Sequence, residues 1–330
     1  MSRVEIEKPF SSNTHCGHAM KVIVIGGTRF LGISIIRGLL RRGYEVTSVH
    51  RGKTRAEIDG IEEVLLDKDD RNALGGLLSS ARCDAVIDTI FSADDLRFVI
   101  PILDGRISNY IHCGSTGVYA PMKYLPARED DECNPPEELG GYGSKLEQDE
   151  VLLGAYWESG FPSTILRPSN IYGPGDIPLD IWGGRSAGFF RRITRDEDIT
   201  VPNDGKALIQ PGYVEDLGDA FSLPLEHEGA VGQIFNISSD RCVTLDTYLE
   251  VMMDLVGSTS SVDHMPMEDL IEKYPQHFGS WPAGLKFVCE HMSIDISKAR
   301  RQLGYAPRVS LEEGMRLNLD WMRSGGMVSY

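Results

Sequence analysis

The feature that most constrains the fold is an apolar strand followed at once by a glycine-rich turn and a helix. The run KVIVI at 21–25 is rich in β-branched residues and predicts a buried parallel strand. The turn at 26–32 reads GGTRFLG, and an amphipathic helical pattern follows it until Gly43. A second strand at 44–49 completes a β-turn-α-β unit, which predicts a parallel sheet.

The same alternation continues through the N-terminal half. Further strands are predicted at 63–66, 84–88, 109–113 and 163–166, and helices at 73–80, 96–103 and 145–158. This order predicts an α/β fold, a Rossmann-type doubly wound parallel sheet with a smaller C-terminal substrate lobe. The expected parts are a flexible leader at 1–20, an NAD(P)-binding Rossmann domain at 21–170, and a mainly substrate-binding lobe at 171–330 with some segments returning to the sheet.

Charge and hydropathy exclude several classes of partner. The 330-residue chain carries 49 acidic and 33 basic residues, a net charge of −16, which disfavours nucleic acid and anionic membrane surfaces. No apolar run approaches the ~18 residues of a membrane span, and residues 1–20 lack the apolar segment of a signal peptide. The six cysteines show no C-x-x-C spacing, so we expect a cytoplasmic location. His15, Cys16 and His18 lack a second ligand pair, so we expect no metal.

The glycine turn predicts a dinucleotide site. Such a turn lets the backbone approach a pyrophosphate, which the N–H groups and partial positive charge of the helix N-terminus then bind. The residues expected to contact the cofactor are Gly26, Gly27, Thr28, Arg29, Phe30 and Gly32. Arg29 stands where a middle glycine is usual, and it either adds a cation to the phosphates or crowds them. The alternative is a turn with only a structural role.

The end of the second strand indicates which dinucleotide binds. An acid there accepts bonds from a ribose 2′-hydroxyl, whereas an arginine suits a 2′-phosphate. This chain has the basic segment HRGK at 50–53, so we expect NADP with Arg51 as a ligand, and NAD stays open. Asp67, after the third strand, is expected near the adenine amino group. A solvated basic turn and a capping acid are the alternatives.

Two clusters of reactive side chains are expected at the carboxyl edge of the sheet, where ligands of open α/β sheets bind. Ser115 and Thr116 follow the fifth strand, and Tyr142 and Lys145 begin the helix after the long loop. An ammonium beside a phenol lowers its pKa, and such a phenol can relay a proton while hydride moves to or from a nicotinamide. The alternative is a helix N-terminal pair and a turn residue.

The chain resembles the extended or atypical short-chain dehydrogenases/reductases of the NAD-dependent epimerase/dehydratase family. The matching segments are GGTRFLG at 26–32, STGVY at 115–119, YGSK at 142–145, RPSNIYGPGD at 167–176, GYVEDLGDAF at 212–221, FNIS at 235–238 and DISKARRQLGYAP at 295–307. The resemblance implies epimerisation, dehydration or keto reduction of a nucleotide-sugar or a similar hydroxyl or keto substrate. It also implies that a homodimer is to be expected.

The resemblance implies a role for individual residues. Ser115 matches the catalytic Ser/Thr of the family, with Thr116 beside the substrate, and Lys145 matches the lysine that binds the nicotinamide ribose. The RPSN loop matches a wall between the two ligands, with Pro168 on the cofactor side and Asn170 on the substrate side. Tyr213 lies in a substrate-lobe motif.

Two departures from the family pattern leave other functions open. The family places its tyrosine four residues before its lysine, but Tyr142 lies three before Lys145, and Gly141 occupies the usual position. DTIF at 88–91 replaces the usual His-x-Ala-Ala. Both departures are similar to an atypical branch that includes chloroplast stem-loop-binding proteins and bacterial relatives, some of which bind RNA. The alternatives are therefore a catalytically impaired NAD(P)-binding regulatory protein and an RNA-binding protein.

Overall fold

The computed structural model describes residues 19–53, 58–139, 141–278 and 282–330. The expected leader, apart from its last two residues, and the His15, Cys16 and His18 group lie outside these ranges. The strands are β1 (Lys21–Ile25), β2 (Glu45–His50), β3 (Ile61–Leu65), β4 (Ala85–Asp88), β5 (Asn109–Cys113), β6 (Ser163–Pro168), β7 (Ile171–Tyr172), β8 (Ile199–Pro202), β9 (Leu208–Ile209), β10 (Gly212–Tyr213), β11 (Ile234–Ile237), β12 (Val243–Thr244) and β13 (Val262–Met265). The helices are α1 (Phe30–Arg41), α2 (Arg71–Ser80), α3 (Ala93–Leu103), α4 (Gly143–Ser159), α5 (Ala187–Ile193), α6 (Val214–Ala220), α7 (Leu245–Val256), α8 (Met267–Lys273), α9 (Pro275–Phe278), α10 (Ala283–Cys289), α11 (Ser297–Leu303) and α12 (Leu311–Ser324).

The central sheet has seven strands within the described ranges, in the order β11-β6-β5-β4-β1-β2-β3, and every pairing is parallel. The prediction of a Rossmann-type doubly wound sheet is confirmed. The chain builds β1, β2 and β3 outward in one direction and then returns to place β4 on the other side of β1. The carboxyl ends of β1 and β4 therefore flank the crevice in which sheets of this kind bind ligands.

Helices cover both faces of the sheet because alternate strand residues point to opposite sides. On β1, Val22 and Val24 belong to one apolar core, and Ile23 and Ile25 belong to another. The first core lies under α1, α6 and α11, and the second lies under α2, α3 and α4. Burying one such large side chain contributes about 2 kcal/mol.

The start of α3 shows what the sequence prediction missed. The helix begins at Ala93, earlier than the predicted 96, because Ser92 and Asp95 form a capping box. The Ser92 hydroxyl oxygen accepts a bond from the Asp95 backbone N–H at 3.2 Å, and Asp95 accepts one from the Ser92 N–H at 2.8 Å. Such reciprocal bonds satisfy N–H groups that have no partner within the helix.

Three elements from the C-terminal half return to the sheet: the strand β11, and the helices α6 and α11 that cover one face of it. β11 is its edge strand beside β6, with Ile234 opposite Ile165. α6 packs on α1, where a Cβ at Gly218 would fall 2.6 Å from the Ser34 Cβ. The rest of that half builds a separate apolar core. A domain boundary at 170 stays a prediction. No helix in the described ranges is long and apolar enough to cross a bilayer.

Candidate active site

The turn after β1 is closely packed at each of its glycines. Gly26 has a φ of +93°, and a Cβ there would fall 2.5 Å from the Thr89 Oγ1, just beyond β4. A Cβ at Gly32 would fall 2.4 Å from the Gly26 carbonyl oxygen, and one at Gly27 would fall 2.4 Å from the Ile36 Cδ1. The turn therefore needs glycine because its own backbone, α1 and the end of β4 occupy the space of a side chain.

The N-terminus of α1 is left open for an anion. Its N-cap residue, Arg29, makes no side-chain capping bond, and the first turn holds no acidic residue. The Arg29 side chain is exposed, and Thr28 and Phe30 are half-buried. A Cβ at Gly175 would lie 3.4 Å from the Phe30 ring, so this turn contacts the loop after β7. Uncapped N–H groups with the helix dipole behind them fit the pyrophosphate of a dinucleotide.

In the basic segment after β2, His50 is held by contacts within the protein, whereas Arg51 is exposed. His50 is buried, and its Nδ1 accepts a bond from the Gly52 N–H at 3.1 Å while its Nε2 lies 3.1 Å from the Glu63 Oε1. Arg51 is exposed and forms no ion pair with any described residue. Of the two exposed cations in this segment, Arg51 and Lys53, Arg51 is the nearer to the end of β2, where a 2′-phosphate would lie.

Two large apolar side chains at the same edge are exposed, and the sequence analysis did not identify them. Leu65 ends β3 and is 60% exposed, and Ile90 follows β4 and is 46% exposed. Ile90 also lies beside the glycine turn, 2.8 Å from where a Cβ at Gly26 would be. Asp67 is exposed and accepts a bond from the Asp69 N–H at 3.2 Å. Apolar surface on both sides of the crevice, with a carboxylate nearby, fits an adenine ring.

Ser115 begins a short 3₁₀ turn at Thr116–Tyr119. Its Oγ accepts a bond from the Gly117 N–H at 3.1 Å, which leaves the hydroxyl proton available for a bond to a ligand oxygen. The neighbouring Thr116 is buried, and its Oγ1 donates to the Pro168 carbonyl oxygen at 3.3 Å. Thr116 thus ties this turn to the end of β6, and of the two hydroxyls only that of Ser115 is half-exposed.

Lys145 lies in the first turn of α4 and reaches back to β5. Its Nζ donates to the Cys113 carbonyl oxygen and to the Gln148 Oε1, both at 3.0 Å. Among the described residues these bonds use two of the three ammonium protons, and the third can meet a ribose hydroxyl.

Tyr142 occupies the N-cap position of α4, and its ring faces the C-terminal lobe. The ring stacks on Phe287 with centroids 5.0 Å apart, and it covers Gly117. Burial raises the pKa of Tyr142, while the charge of Arg185 lowers it. Lys145 and Tyr142 are joined through the backbone, where the Lys145 N–H donates to the Tyr142 carbonyl oxygen at 3.0 Å, and among the described residues no hydrogen bond joins the phenol to the Lys145 ammonium. The pairing that the resemblance implies is thus changed: Arg185 is the cation acting on this phenol.

The remaining candidates lie on the C-terminal side of the crevice. Pro168 ends β6, and the Asn170 carbonyl oxygen accepts a bond from the Gly212 N–H at 2.8 Å. Tyr213 is buried, and its ring meets that of Tyr172 edge-on at 5.7 Å. Burial raises the pKa of Tyr213 to about 12. Its phenol therefore packs inside the lobe and stays protonated near neutral pH.

A buried ion pair beneath the site was also missed. Arg167 on β6 donates from Nε to the Asp149 Oδ2 at 2.9 Å and from a terminal nitrogen to the Tyr119 hydroxyl at 2.5 Å. The Asp149 Oδ1 is buried without a partner, 3.1 Å from where a Cβ at Gly114 would be. The pair joins α4, β6 and the turn after β5, and no local pattern marks side chains that lie so far apart in the chain.

Comparison with known proteins gives the same architecture. The sequence profile of the NAD dependent epimerase/dehydratase family matches residues 22–99 and 99–238. The chain is 31% identical over 325 residues to the chloroplast stem-loop binding protein of 41 kDa b of Arabidopsis thaliana, covering 92% of this chain and 80% of that protein. It is 26% identical over 336 residues to a UDP-N-acetyl-alpha-D-glucosaminuronate decarboxylase of Bacillus cytotoxicus, covering 92% and 98%. The crystal structure of a Bacillus cereus UDP-glucuronic acid 4-epimerase with UDP-glucuronic acid and NAD is similar at a TM-score of 0.73 and 20% identity, covering 92% of this chain and 99% of that one.

Proposed function

Because the chain belongs to the NAD-dependent epimerase/dehydratase family, we propose that it is an NAD(P)-dependent enzyme acting on a nucleotide-sugar or a similar hydroxyl or keto substrate. The reaction is an epimerisation, a dehydration or a keto reduction. The observation that carries the proposal is the position of the Lys145 ammonium, 3.0 Å from the Cys113 carbonyl oxygen. This places it at the same sheet edge as the 26–32 turn, with Ser115 two residues farther along the chain.

The roles proposed for the side chains follow from their bonds. A bound nicotinamide would supply the hydride acceptor or donor. Ser115 would donate a hydrogen bond from its hydroxyl to the reacting oxygen, because the bond from the Gly117 N–H uses only one lone pair and leaves the hydroxyl proton available. Lys145 would bind the ribose hydroxyls with its remaining proton. Tyr142 would take up or return the substrate proton, with its phenolate stabilised by Arg185.

We favour NADP over NAD. The support is the exposed Arg51, which has no ion-pair partner among the described residues, together with the absence of an acid at the end of β2.

A homodimer and a cytoplasmic location also stay predictions. Trp157 on α4 is 77% exposed, and sedimentation of the wild type beside Trp157→Ala tests whether that surface is an interface.

Isothermal calorimetry with NAD⁺, NADH, NADP⁺ and NADPH tests the proposal. We expect micromolar binding of at least one nucleotide and its loss in Gly32→Ala, whose new methyl group would meet the Gly26 carbonyl oxygen. Gly76→Ala, in an exposed stretch of α2 with no atom within 4 Å of the new group, is the matched control and should bind normally. A wild-type protein that binds none of the four contradicts the proposal.

A second candidate function is RNA binding, which the 31% identity to a stem-loop binding protein favours. The net charge of −16 weighs against it. A filter-binding assay with a stem-loop RNA at 50 and 200 mM salt separates the two. We expect no salt-sensitive affinity, and a clear loss of affinity between the two salt concentrations would favour the RNA-binding function.

A further inference from the structure

A continuous chain of buried hydrogen bonds runs from the interior of the sheet to Lys145. The Asp88 Oδ2 accepts a bond from the Tyr110 hydroxyl at 2.8 Å and lies 2.8 Å from the His112 Nδ1. The His112 Nε2 lies 3.1 Å from the Gln148 Oε1, and the Lys145 Nζ donates to that same oxygen at 3.0 Å. The side chains of Asp88 and His112 are fully buried.

The donors and acceptors of this chain determine where its protons lie. Burial alone would raise the pKa of Asp88, but the charge of His112 and the bonds from His112, the Phe91 N–H and the Tyr110 hydroxyl hold it below its usual range. Asp88 is therefore a carboxylate, and the His112 Nδ1 carries a proton. The opposite orientation of the Gln148 amide would point an NH₂ group at the Lys145 ammonium. The amide oxygen must face Lys145, so the His112 Nε2 meets that oxygen as a hydrogen-bond donor.

Burial of the Asp88–His112 pair would not by itself require the further bonds to Gln148 and Lys145. Gln148 lies three residues after Lys145, on the same side of α4, and His112 directly precedes Cys113 on β5. Two donors, the Lys145 ammonium and the His112 ring, thus converge on one amide oxygen, and β5 contributes both the Cys113 carbonyl and the His112 ring. Two further charged groups act on members of the chain: Asp149, which is bonded to Arg167 at 2.9 Å and interacts with the charges of His112 and Lys145, and Asp95, which acts on Tyr110.

We propose that His112, oriented by Asp88 and acting through Gln148, is a positioning residue that holds the Lys145 ammonium at the carboxyl edge of β5. The donation from His112 turns the Gln148 oxygen towards Lys145 and keeps it there. Because Ser115 continues from β5, the same bonds set the distance between Ser115 and Lys145. The inference rests on the proposed function only in that Lys145 is taken to bind the nicotinamide ribose.

The test is a double-mutant cycle on cofactor affinity. Gln148→Leu removes the shared oxygen and should weaken binding of the preferred nucleotide about tenfold, as expected for the loss of a hydrogen bond to a charged group. In a Lys145→Met background the same change should have no further effect. Gln148→Glu keeps an acceptor oxygen and should restore most of the affinity. Gln302→Leu, on the exposed surface of α11, is the matched control.

Two results of the cycle would overturn the positioning role. One is wild-type affinity in Gln148→Leu, and the other is an equal loss with and without Lys145, which would mean a general structural effect. A second readout needs no cofactor. In protein with ¹⁵N-labelled histidine, the signals of His112, assigned from a His112→Gln sample, should show the Nε2 carrying the proton that it donates to the Gln148 Oε1.

A His112 Nε2 without a bonded proton would contradict the hydrogen-bond chain itself. The two proposals therefore fail separately. A wild type that binds none of the four nucleotides overturns the proposed function, whereas the ring-nitrogen signals test His112 without any ligand.

Discussion

The ring of Tyr142 lies directly on Gly117, so close that a Cβ at Gly117 would fall 2.3 Å from the tyrosine Cε1. Gly117 is also the residue whose N–H binds the Ser115 hydroxyl oxygen. Gly117 thus contacts both the phenol ring of Tyr142 and the hydroxyl of Ser115, the proposed catalytic serine. Because Tyr142 also stacks on Phe287 of the C-terminal half, its position depends on how the substrate lobe packs.

We expect Gly117→Ala to destabilise the protein by about 1–3 kcal/mol, since the new methyl group must displace an aromatic ring. Chemical denaturation measures this cost. In a Tyr142→Ala background, where the ring is absent, the same substitution should cost much less. Gly143→Ala, with no atom within 4 Å of the new group, is the control. An equal cost in both backgrounds would show that the contact with Tyr142 is not what Gly117 accommodates.

Tyr142→Phe should lower kcat at least about 100-fold with little change in the thermal midpoint, because it removes only the proton-relay hydroxyl. The measurement is turnover of nucleotide-sugars, followed by chromatographic separation of substrate and product for the redox-neutral epimerisation or dehydration and by the reduced nicotinamide absorbance for a keto reduction. Tyr156→Phe, on the same helix, is the matched control and should keep its rate. An unchanged rate in Tyr142→Phe removes this residue from the mechanism.

Replacing Arg185 should shift the pH dependence of the reaction to higher pH. The Arg185 guanidinium donates to the Ile177 and Ile171 carbonyl oxygens at 2.9 and 3.1 Å, and its charge lowers the pKa of Tyr142 against the effect of burial. In Arg185→Gln the pKa of Tyr142 rises, so the ascending limb of the kcat profile for substrate oxidation should move to higher pH. The control is Arg191→Gln on the next helix. A limb that stays in place would mean that another group titrates in that range.

Asp180 should make the stability of the protein depend on pH between about 4 and 7. Burial raises its pKa to about 7, although the backbone N–H groups of Gly184 and Trp182 oppose the shift. Because the folded-state pKa exceeds the unfolded value of about 3.9, its contribution is fully present below pH 4 and is lost as the pH rises through 7. Asp180→Asn should therefore reduce the difference in thermal midpoint between pH 5 and pH 8.

Differential scanning fluorimetry at half-unit steps from pH 5 to pH 8 measures this effect. The exposed Asp204→Asn serves as the control, and its profile should follow that of the wild type. An Asp180→Asn profile as steep as the wild type would show that other groups cause the dependence.

Arg51→Ala should weaken NADPH binding about tenfold and leave NADH binding unchanged, because only the 2′-phosphate needs a cation at the end of β2. Calorimetry with both nucleotides measures the difference. Arg37→Ala, on the exposed side of α1, should alter neither affinity. Equal losses for NADPH and NADH would exclude a specific contact between Arg51 and the 2′-phosphate.

The sequence alone was sufficient for the sheet, the glycine turn and the family. Short β-branched runs that alternate with helical segments predict a parallel sheet from local sequence alone. The 26–32 turn could be recognised because all its residues are consecutive in the chain. The segments around Ser115 and Lys145 could also be predicted to lie close together. The carboxyl ends of parallel strands and the starts of the helices that follow them meet at one edge of the sheet, and this does not depend on how the rest of the chain packs.

The electrostatics of the site were decided only by the tertiary structure. The cation that acts on Tyr142 is Arg185, and Lys145 is held by Gln148 and the Cys113 carbonyl oxygen. The orientation of the His112 ring is fixed by its contact with Asp88, on another strand. Charge interactions and hydrogen bonds depend on distances of a few ångströms between segments far apart in the chain, and only the packing of helices on the sheet sets those distances.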